Sequence, residues 1–191
     1  MFYANFFDNL LKGVRKKVLK ISNIQKQDKV LDVCCGTGAQ AILFSDHSDF
    51  IYGIDLDHKM IEFALNRKSR VNFGAAYAEY IPFPDEYFDV VSISLALHEK
   101  DEKLRQMIFS EIKRIIKKNG RIIIADYNYP LPFSFISFLI IMIERMAGDY
   151  HFNSFKNYLS SKGLNDLIKG LKIEKQSFAI KKTIKIIKFK K

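Results

Sequence analysis

The stretch that decides the fold reads Val30-Leu31-Asp32-Val33-Cys34-Cys35-Gly36-Thr37-Gly38. Its apolar start predicts a buried strand, and its end predicts a turn whose glycines let the backbone approach a ligand closely. A helix is predicted to begin directly after the turn, so that its unpaired amides face a polar or anionic group. Gly36, Gly38 and Ala41 also satisfy the loose spacing of a dinucleotide-binding loop. The stretch therefore predicts a nucleotide-type ligand and leaves its chemistry open.

A second acidic strand end narrows the choice of ligand. Gly53-Ile54-Asp55 closes the next predicted strand, and Asp55 stands seventeen residues after Gly38. A carboxylate at this place can accept hydrogen bonds from both hydroxyls of a ribose. The alternative is that Asp55 caps the following helix, but Asp57 is better placed for that role. We therefore predict that Asp55 binds the sugar of an adenosine.

The rest of the chain alternates between strand-like and helix-like segments, which is typical of a sheet with helices on its faces. The pattern predicts an α/β fold with a Rossmann-like, doubly wound sheet in one domain, residues 1–191, with a leading helix in 1–24 and an apolar insert at 130–154. Asn119 and Gly120 are expected to end the helix before them. Strands are predicted at 29–33, 50–55, 70–73, 88–95 and 121–127, with a closing hairpin of 171–180 and 183–189; helices are predicted at 5–21, 36–45, 57–67, 101–118, 133–147 and 155–168.

Composition and charge restrict the class of protein. The 191 residues include 31 Lys and Arg against 21 Asp and Glu, a net charge of +10 whose excess lies mainly at the two ends. Because Lys dominates and few aromatic residues interleave with it, we favour a solvated surface over a nucleic-acid or anionic-membrane surface. The first residues do not read as a secretory signal, and a cytoplasmic protein is expected. Cys34 and Cys35 are expected to be buried, reduced thiols, and no metal is predicted.

Four motifs occur in a fixed order: Val30 to Gly38, Gly53 to Asp57, Ala78 to Asp85 followed by Phe88 to Val91, and Lys117 to Arg121. In this order they resemble class I S-adenosylmethionine-dependent methyltransferases of the ubiquinone/menaquinone-biosynthesis type, and they cover roughly half of the chain. The resemblance implies S-adenosylmethionine as cofactor, with S-adenosylhomocysteine as product. It also implies a mostly parallel sheet with an antiparallel last strand, and methyl transfer to a small acceptor.

The resemblance further implies where the cofactor binds. Asp32 would face the methionine end, and Asp55 would bind the ribose. Cys34 replaces the first glycine of the family's loop, and Tyr77 stands where the family usually has an Asp or Asn that bonds to the adenine amino group. Adenine would then be read by the backbone of Ala78 and by apolar packing. The cofactor-binding residues are expected to be Asp32, Cys34, Gly36, Thr37, Gly38, Asp55, Leu56, Met60, Tyr77, Ala78, Glu79 and Leu95.

The residues that would contact the methyl acceptor are marked by weaker sequence signals than the cofactor residues. Methyl transfer depends mainly on alignment of the reactants, with a base where the acceptor must lose a proton. His98, just after the fourth predicted strand, is the candidate base, and the alternative is that it only packs on the cofactor. Asp126, Tyr127 and His151 are candidate acceptor contacts. Pro130 to Ala147 is apolar nearly all round, so protein, an apolar ligand or a membrane surface must cover it.

Two expectations follow for the apolar insert. It could be a lid packed on the leading helix, or it could serve an apolar acceptor such as a prenylated quinone or a lipid. The insert and the basic ends together also allow association with a membrane surface.

Three other functions compete with methyl transfer to a small molecule. The basic ends would suit an RNA or DNA methyltransferase, but Ser94-Leu95-Ala96-Leu97 lacks the Asn/Asp-Pro-Pro-aromatic turn of enzymes that methylate exocyclic base amines. Tyr77 would suit a catalytically silent protein that binds the cofactor. The glycine loop alone would also suit a nicotinamide oxidoreductase.

Overall fold

The structure is a computed structural model, and it describes Asp8 and residues 10–191. The described strands are β1 (Lys29–Val33), β2 (Phe50–Asp55), β3 (Asn72–Ala75), β4 (Phe88–Ser94), β5 (Ile116–Tyr127), β6 (Ile173–Ala179) and β7 (Ile184–Lys190). The helices with described bounds are α1 (Lys12–Ser22), α2 (Ala39–Phe44), α3 (His58–Leu65), α4 (Glu102–Ile115), α5 (Phe135–Met146), α6 (Asp149–Ser160) and α7 (Leu164–Leu167).

All seven strands join one sheet in the order β3-β2-β1-β4-β5-β7-β6. Strands β1 to β5 pair in parallel, whereas β7 runs antiparallel to both β5 and β6. The predicted fold, including the antiparallel last strand, is confirmed. Because the strand order reverses between β1 and β4, the carboxyl ends of these two strands frame a crevice, where ligands bind in open α/β sheets.

Helices cover both faces of the sheet, and each face has its own apolar core. One core joins α1 to the sheet through residues such as Val14, Val18 and Ile123. The other joins α4 and α6 to the opposite face through residues such as Ile112 and Tyr158. Because helices cover both faces of the sheet, β4 and the second half of β5 are buried along nearly their whole length.

Local signals fixed several element boundaries. The Asp57 carboxylate accepts a hydrogen bond from the Lys59 amide at 2.8 Å and caps α3, as predicted. The Lys181-Lys182 turn of the closing hairpin lies in left-handed backbone, with φ of 50° and 70°. The predicted bounds of β1 and β2 are those observed. The leading helix is seen as α1, and the part of that prediction on residues 5–7 and 9 lies outside the described residues.

Several boundary predictions were wrong. The helix predicted at 36–45 begins only at Ala39, because Gly36 and Gly38 before it lie in left-handed backbone, and the strand predicted at 70–73 is β3, Asn72–Ala75. Helix α4 ends at Ile115, and Asn119 and Gly120 lie inside β5. The cause is tertiary: Ile116 is fully buried and pairs with Phe88, so the chain enters the sheet immediately after the helix. The helix predicted at 155–168 is in fact α6, which starts earlier, and the short α7, with Gly163 between them at φ 58°.

The packing of the apolar insert on the leading helix stays a prediction, since residues 1–7 and 9 lie outside the described part of the chain. The helix of the insert, α5, packs against α6.

Gly38 is the glycine whose replacement this packing tolerates least. Its φ is +74°, and an added Cβ would lie 2.5 Å from Phe73 Cζ and 2.9 Å from Ala64 Cβ. We predict that Gly38→Ala lowers the free energy of unfolding by about 2–4 kcal/mol, since left-handed strain and overpacking each cost about 1–3 kcal/mol.

Gly74→Ala is the matched control, because its added Cβ meets no described atom within 4 Å and its φ is not in the left-handed region. Its unfolding free energy should stay within about 1 kcal/mol of the wild type. Urea unfolding of the three proteins measures both values. Equal losses for the two variants would contradict the packing described for Gly38.

Candidate functional site

Two cavities open at the carboxyl edge of the sheet, next to the loop after β1. Their volumes are about 370 Å³ and 270 Å³. Cys34, Gly36 and Leu95 line both of them. Because the cavities share these three walls, one elongated ligand could occupy both, with its middle against the loop.

The backbone of this loop is bent into the left-handed region. Cys34, Gly36 and Gly38 have φ of 54°, 52° and 74°, and Leu95 at the end of β4 has φ of 54°. Left-handed backbone costs a residue with a side chain about 1–2 kcal/mol, and such strain concentrates at binding sites. A Cβ added at Gly36 would meet no described atom within 4 Å. The Gly36 backbone therefore faces open space, where a ligand could approach it.

Asp32 brings a buried carboxyl group to the larger cavity. The residue lies in β1, is 2% exposed and lines that cavity. Burial raises the pKa of Asp32 to about 7, although the nearby Arg15 charge acts in the opposite direction. Near neutral pH the carboxyl group is therefore poised between its two forms, and a bound cation would favour the carboxylate.

The same cavity contains buried polar atoms without partners. Gln40 Oε1 and Ser94 Oγ have no hydrogen-bond partner among the described residues, and both residues line the larger cavity. Buried polar atoms are almost always hydrogen-bonded in native proteins. These two atoms are therefore suited to contact a polar ligand.

Asp55 closes β2 and lines the smaller cavity, as predicted. Its Oδ2 accepts a hydrogen bond from the Gly36 amide at 2.7 Å, and its Oδ1 accepts one from the Asp57 amide at 2.9 Å. Each carboxylate oxygen keeps further acceptor capacity. Asp55 therefore holds the loop in place and can still accept hydrogen bonds from a diol.

Most of the other predicted cofactor residues also lie on the two cavities. Thr37 and Met60 line the larger one, and Leu56, Ala78 and Glu79 line the smaller one. Two residues line neither cavity.

The first of these, Gly38, is enclosed by Phe73 and Ala64. The second, Tyr77, is 56% exposed at the protein surface. Tyr77, which was expected on the adenine side, therefore does not fill the smaller cavity.

Sequence reasoning missed two charged residues that line the larger cavity. They are Asp8 and Arg15. Arg15 Nη2 and Thr37 Oγ1 each donate to Asp8 Oδ1 at 2.9 Å, and Arg67 Nη1 donates to Asp8 Oδ2 at 3.0 Å. Arg15 was counted with the basic amino-terminal residues. The available signal was its place between Val14 and Val18, on the apolar side of α1.

The candidate base His98 is paired with the predicted acceptor contact Asp126. His98 Nδ1 lies 2.7 Å from Asp126 Oδ1, and Asp126 Oδ2 accepts a hydrogen bond from the Leu97 amide at 2.9 Å. Both side chains are buried. Burial lowers the pKa of His98, but the carboxylates of Asp126, Glu144 and Glu99 together raise it above the ordinary value.

Glu144 joins the remaining candidates to this pair, although no sequence motif marks it as a functional residue. It projects inward from α5 and is 4% exposed. Its Oε1 accepts a hydrogen bond from the Tyr127 hydroxyl at 2.8 Å, and its Oε2 lies 2.6 Å from His151 Nε2. The four acceptor-side candidates thus come together, although none lines either cavity; Glu99, which follows His98, lines the smaller one.

The outer face of α5 is apolar. Its buried residues are Ser137, Ile140 and Glu144, so two of its polar side chains point toward the protein. The outward side chains include Phe135 at 74% and Met146 at 82% exposure. This polarity is the reverse of that of an ordinary surface helix. Among the described helices, none combines the length and the apolar character needed to cross a bilayer.

Comparison with known proteins agrees with this geometry. Residues 31–124, about half of the chain, match the methyltransferase domain family. A demethylmenaquinone methyltransferase of Bacillus licheniformis is 31% identical over 153 residues, which are 75% of this chain and 65% of that protein. A ubiquinone/menaquinone biosynthesis C-methyltransferase of Francisella philomiragia is 25% identical over 149 residues, 73% of this chain and 56% of that protein. The chain thus spans less than two thirds of the length of these curated relatives.

A solved structure shares the fold. The YcgJ protein of Bacillus subtilis superposes with a TM-score of 0.63 at 20% identity, covering 86% of this chain and 71% of that one. The sequence motifs, the strand order and these matches agree, and the predicted family is confirmed. The chain belongs to the class I methyltransferases, in the methyltransferase domain family that includes the ubiquinone/menaquinone-type proteins.

Proposed function

We propose that this protein transfers a methyl group from S-adenosylmethionine to a small, apolar acceptor. One observation carries the proposal: the Asp55 carboxylate and the bare Gly36 backbone stand together where the two cavities meet. The names of the relatives, which are quinone methyltransferases, support a small acceptor over RNA.

The residues present fit the cofactor. In the larger cavity, Asp32 would hold the ammonium group and Arg15 the carboxylate of its amino-acid end, and the unpartnered Ser94 Oγ adds a polar contact. In the smaller cavity, Asp55 would bind the ribose and Ala78 would border the adenine. When bound, S-adenosylmethionine supplies a methyl group on a sulfonium, which needs alignment and exclusion of water more than activation.

His98 is the general base that the sequence predicts, and this role stays a prediction. Asp126 fixes the ring through Nδ1, which leaves Nε2 to accept a proton. Nε2 now lies 3.6 Å from Glu144 Oε1. An acceptor would reach it only if α5 moved away from the sheet.

The outward face of α5 supports an apolar acceptor taken from a membrane surface. Helices with an apolar face and basic neighbours bind anionic interfaces. Arg145 lies in the last turn of α5, and the Lys181-Lys182 turn adjoins the end of β5, where Asn128 Nδ2 donates to the Lys182 carbonyl at 3.1 Å. We therefore propose that α5 rests on the membrane while the acceptor enters beside it.

A methyl-transfer assay with Asp55→Asn tests the proposed function. Wild-type protein and labelled S-adenosylmethionine should give label extractable with a quinol acceptor. Asn keeps the shape of Asp55 but loses its charge, and hydrogen bonds to charged groups contribute about 1.5–3 kcal/mol. We expect the variant to need about 10–100-fold more cofactor for the same rate.

Asp46→Asn is the control, because Asp46 is exposed in the loop before β2, at the opposite edge of the sheet. It should behave as the wild type. Label that enters RNA but no apolar acceptor, or equal cofactor requirements for Asp55→Asn and the wild type, would refute the proposal.

The raised pKa of Asp32 predicts a pH dependence of stability. Between the ordinary carboxyl pKa of 3.8 and the raised pKa of about 7, the folded state binds more protons than the unfolded state, so stability falls as pH rises through this range. Asp32→Asn should remove this fall, which amounts to about 4 kcal/mol for a shift of this size. In the wild type, ionisation of Asp32 between pH 6 and 8 should raise the affinity for S-adenosylhomocysteine, because the carboxylate attracts the ammonium group of the ligand. Asp32→Asn should abolish this gain. Urea unfolding and calorimetry across pH measure both effects, and parallel pH profiles for the two proteins would speak against this role.

Vesicle co-sedimentation tests the proposed membrane contact. Phe138→Glu places a charge on the outward face of α5, where Phe138 is 57% exposed, and should reduce binding to anionic vesicles by about tenfold or more. Leu65→Glu is matched, since Leu65 is 55% exposed on α3, and it should leave binding unchanged. If the wild-type protein does not bind anionic vesicles, or if both variants lose binding equally, α5 is not the membrane-binding surface.

A further inference from the structure

A cluster of histidines and carboxylates lies beside the smaller cavity, at the carboxyl ends of β4 and β5. We call His98, Glu99, Asp126, Glu144 and His151 the histidine–carboxylate cluster. One donor atom from each of His98, Glu99 and His151 lies within 4.8 Å of the other two. The rings of the two histidines meet edge to face, with centroids 5.9 Å apart. Three ligand-type side chains therefore converge on one small volume.

Each imidazole of the cluster is oriented by a buried carboxylate. His98 Nδ1 lies 2.7 Å from Asp126 Oδ1, and His151 Nε2 lies 2.6 Å from Glu144 Oε2. Asp126 and Glu144 are 0% and 4% exposed. A histidine that binds a metal almost always donates its other ring N–H to such a carboxylate. The arrangement occurs twice here, and it leaves His98 Nε2 and His151 Nδ1 as the nitrogens that face a ligand.

Glu99 supplies the third ligand-type oxygen or nitrogen atom of the cluster, beside those of His98 and His151. Glu99 Oε2 lies 3.7 Å from His151 Nδ1, and Glu99 Oε1 is 2.6 Å from Lys100 Nζ. One oxygen of Glu99 is therefore engaged by the lysine, and the other faces the imidazole that Glu144 holds. Neither His98 Nε2 nor His151 Nδ1 has a hydrogen-bond partner within 3.5 Å among the described residues.

The charges of the cluster favour a cation. Glu99, Asp126 and Glu144 bring three carboxylates together, and the single ammonium in contact with them is Lys100, among the residues that the structure describes. The Leu97 amide and the Tyr127 hydroxyl already stabilise Asp126 and Glu144 by hydrogen bonds, and a nearby cation would stabilise the three carboxylates further. A divalent ion between the two imidazoles would be such a cation.

We propose that His98, Glu99 and His151 bind one divalent transition-metal ion, with Asp126 and Glu144 orienting the two imidazoles. Two imidazole nitrogens and one carboxylate oxygen are the set that binds Zn²⁺ with a position left open, whereas Mg²⁺ and Ca²⁺ prefer oxygen ligands throughout. Bonds of about 2.0–2.2 Å require the donors to approach one another from their present separations of up to 4.8 Å.

The open position would face the acceptor side. Glu99 lines the smaller cavity, so the ion would lie at the edge of the space assigned to the cofactor. An acceptor hydroxyl bound to such an ion would lose its proton more readily, and His98 would then act as a ligand in place of a base. This consequence rests on the proposed function; the metal site itself does not.

Titration of the full chain with ZnCl₂, and with CoCl₂ as a coloured probe, tests the site after treatment with a chelator. We expect one Zn²⁺ per chain with a dissociation constant in the micromolar range or below, and visible Co²⁺ bands typical of nitrogen and oxygen ligands. His151→Ala and Glu99→Gln should weaken binding at least 100-fold. Glu144→Gln, which removes an orienting carboxylate, should weaken it about 10–100-fold.

The two remaining histidines supply matched controls. His47 and His58 are exposed and lie outside the cluster, so His47→Ala and His58→Ala should bind the metal as the wild type does. His151 and Glu99 are only partly buried, and their variants should keep the wild-type unfolding transition. This separates loss of the site from loss of the fold.

Three results would overturn the metal site: no stoichiometric Zn²⁺ complex at micromolar protein, binding that survives in His151→Ala and Glu99→Gln, or binding that disappears in Cys34→Ser or the control histidine variants. Calorimetry with S-adenosylhomocysteine on the same samples keeps the proposals apart. A chain that binds Zn²⁺ but not S-adenosylhomocysteine keeps the metal site and loses the proposed function. The opposite result removes the metal site alone.

Discussion

The hydrogen bond from the Gly36 amide to the Asp55 carboxylate, 2.7 Å long, is the constraint on which the rest of the site depends. It ties the loop after β1 to the end of β2, which is possible because the two strands are parallel neighbours in the sheet. The loop can then keep its left-handed bends and present bare backbone to the crevice. Without this hydrogen bond, Cys34 and Gly36, which line both cavities, would no longer be held in place.

The acceptor side follows a different principle, in which polar groups are buried and apolar groups are exposed. Glu144 brings a carboxylate from α5 into contact with Tyr127 and His151, while the aromatic and aliphatic side chains of α5 point outward. A water-facing helix would place these groups the other way round. The reversal makes sense if the inner face serves chemistry, or a bound ion, and the outer face meets an apolar phase. It also means that α5 is held by a few specific polar contacts and by Ile140.

The sequence predicted β1, β2 and most of the residues that line the two cavities, because the signals for them are local. The apolar runs of β1 and β2 are short and end in Asp or Gly-rich turns, and so both bounds could be read residue by residue. Asn119-Gly120 is a pair typical of a helix end and so predicts one, whereas the tertiary pairing of Ile116 with Phe88 starts β5 earlier. Burial of Ile116 in the sheet therefore outweighs the local preference of Asn119-Gly120 for a helix end.

The acceptor side could be predicted only as a set of candidates. His98 and His151 lie 53 residues apart, and only the packing of α5 and α6 on the sheet brings them together. Glu144 was not selected because the usual rule places the charged residues of an apolar helix toward water. Arg15 was missed for a related reason, since a basic residue near a basic terminus reads as solvated surface. Which face of a helix turns inward is decided by tertiary packing.

The central claim is that the crevice between β1, β2 and β4 holds S-adenosylmethionine. Isothermal titration of the full chain with S-adenosylhomocysteine, with NAD as the comparison ligand, tests it most directly. The account predicts one S-adenosylhomocysteine per chain, with a dissociation constant far below about 1 mM, the value that corresponds to about −4 kcal/mol, and no heat of binding with NAD. Binding weaker than that limit, or binding of NAD in its place, would contradict the account.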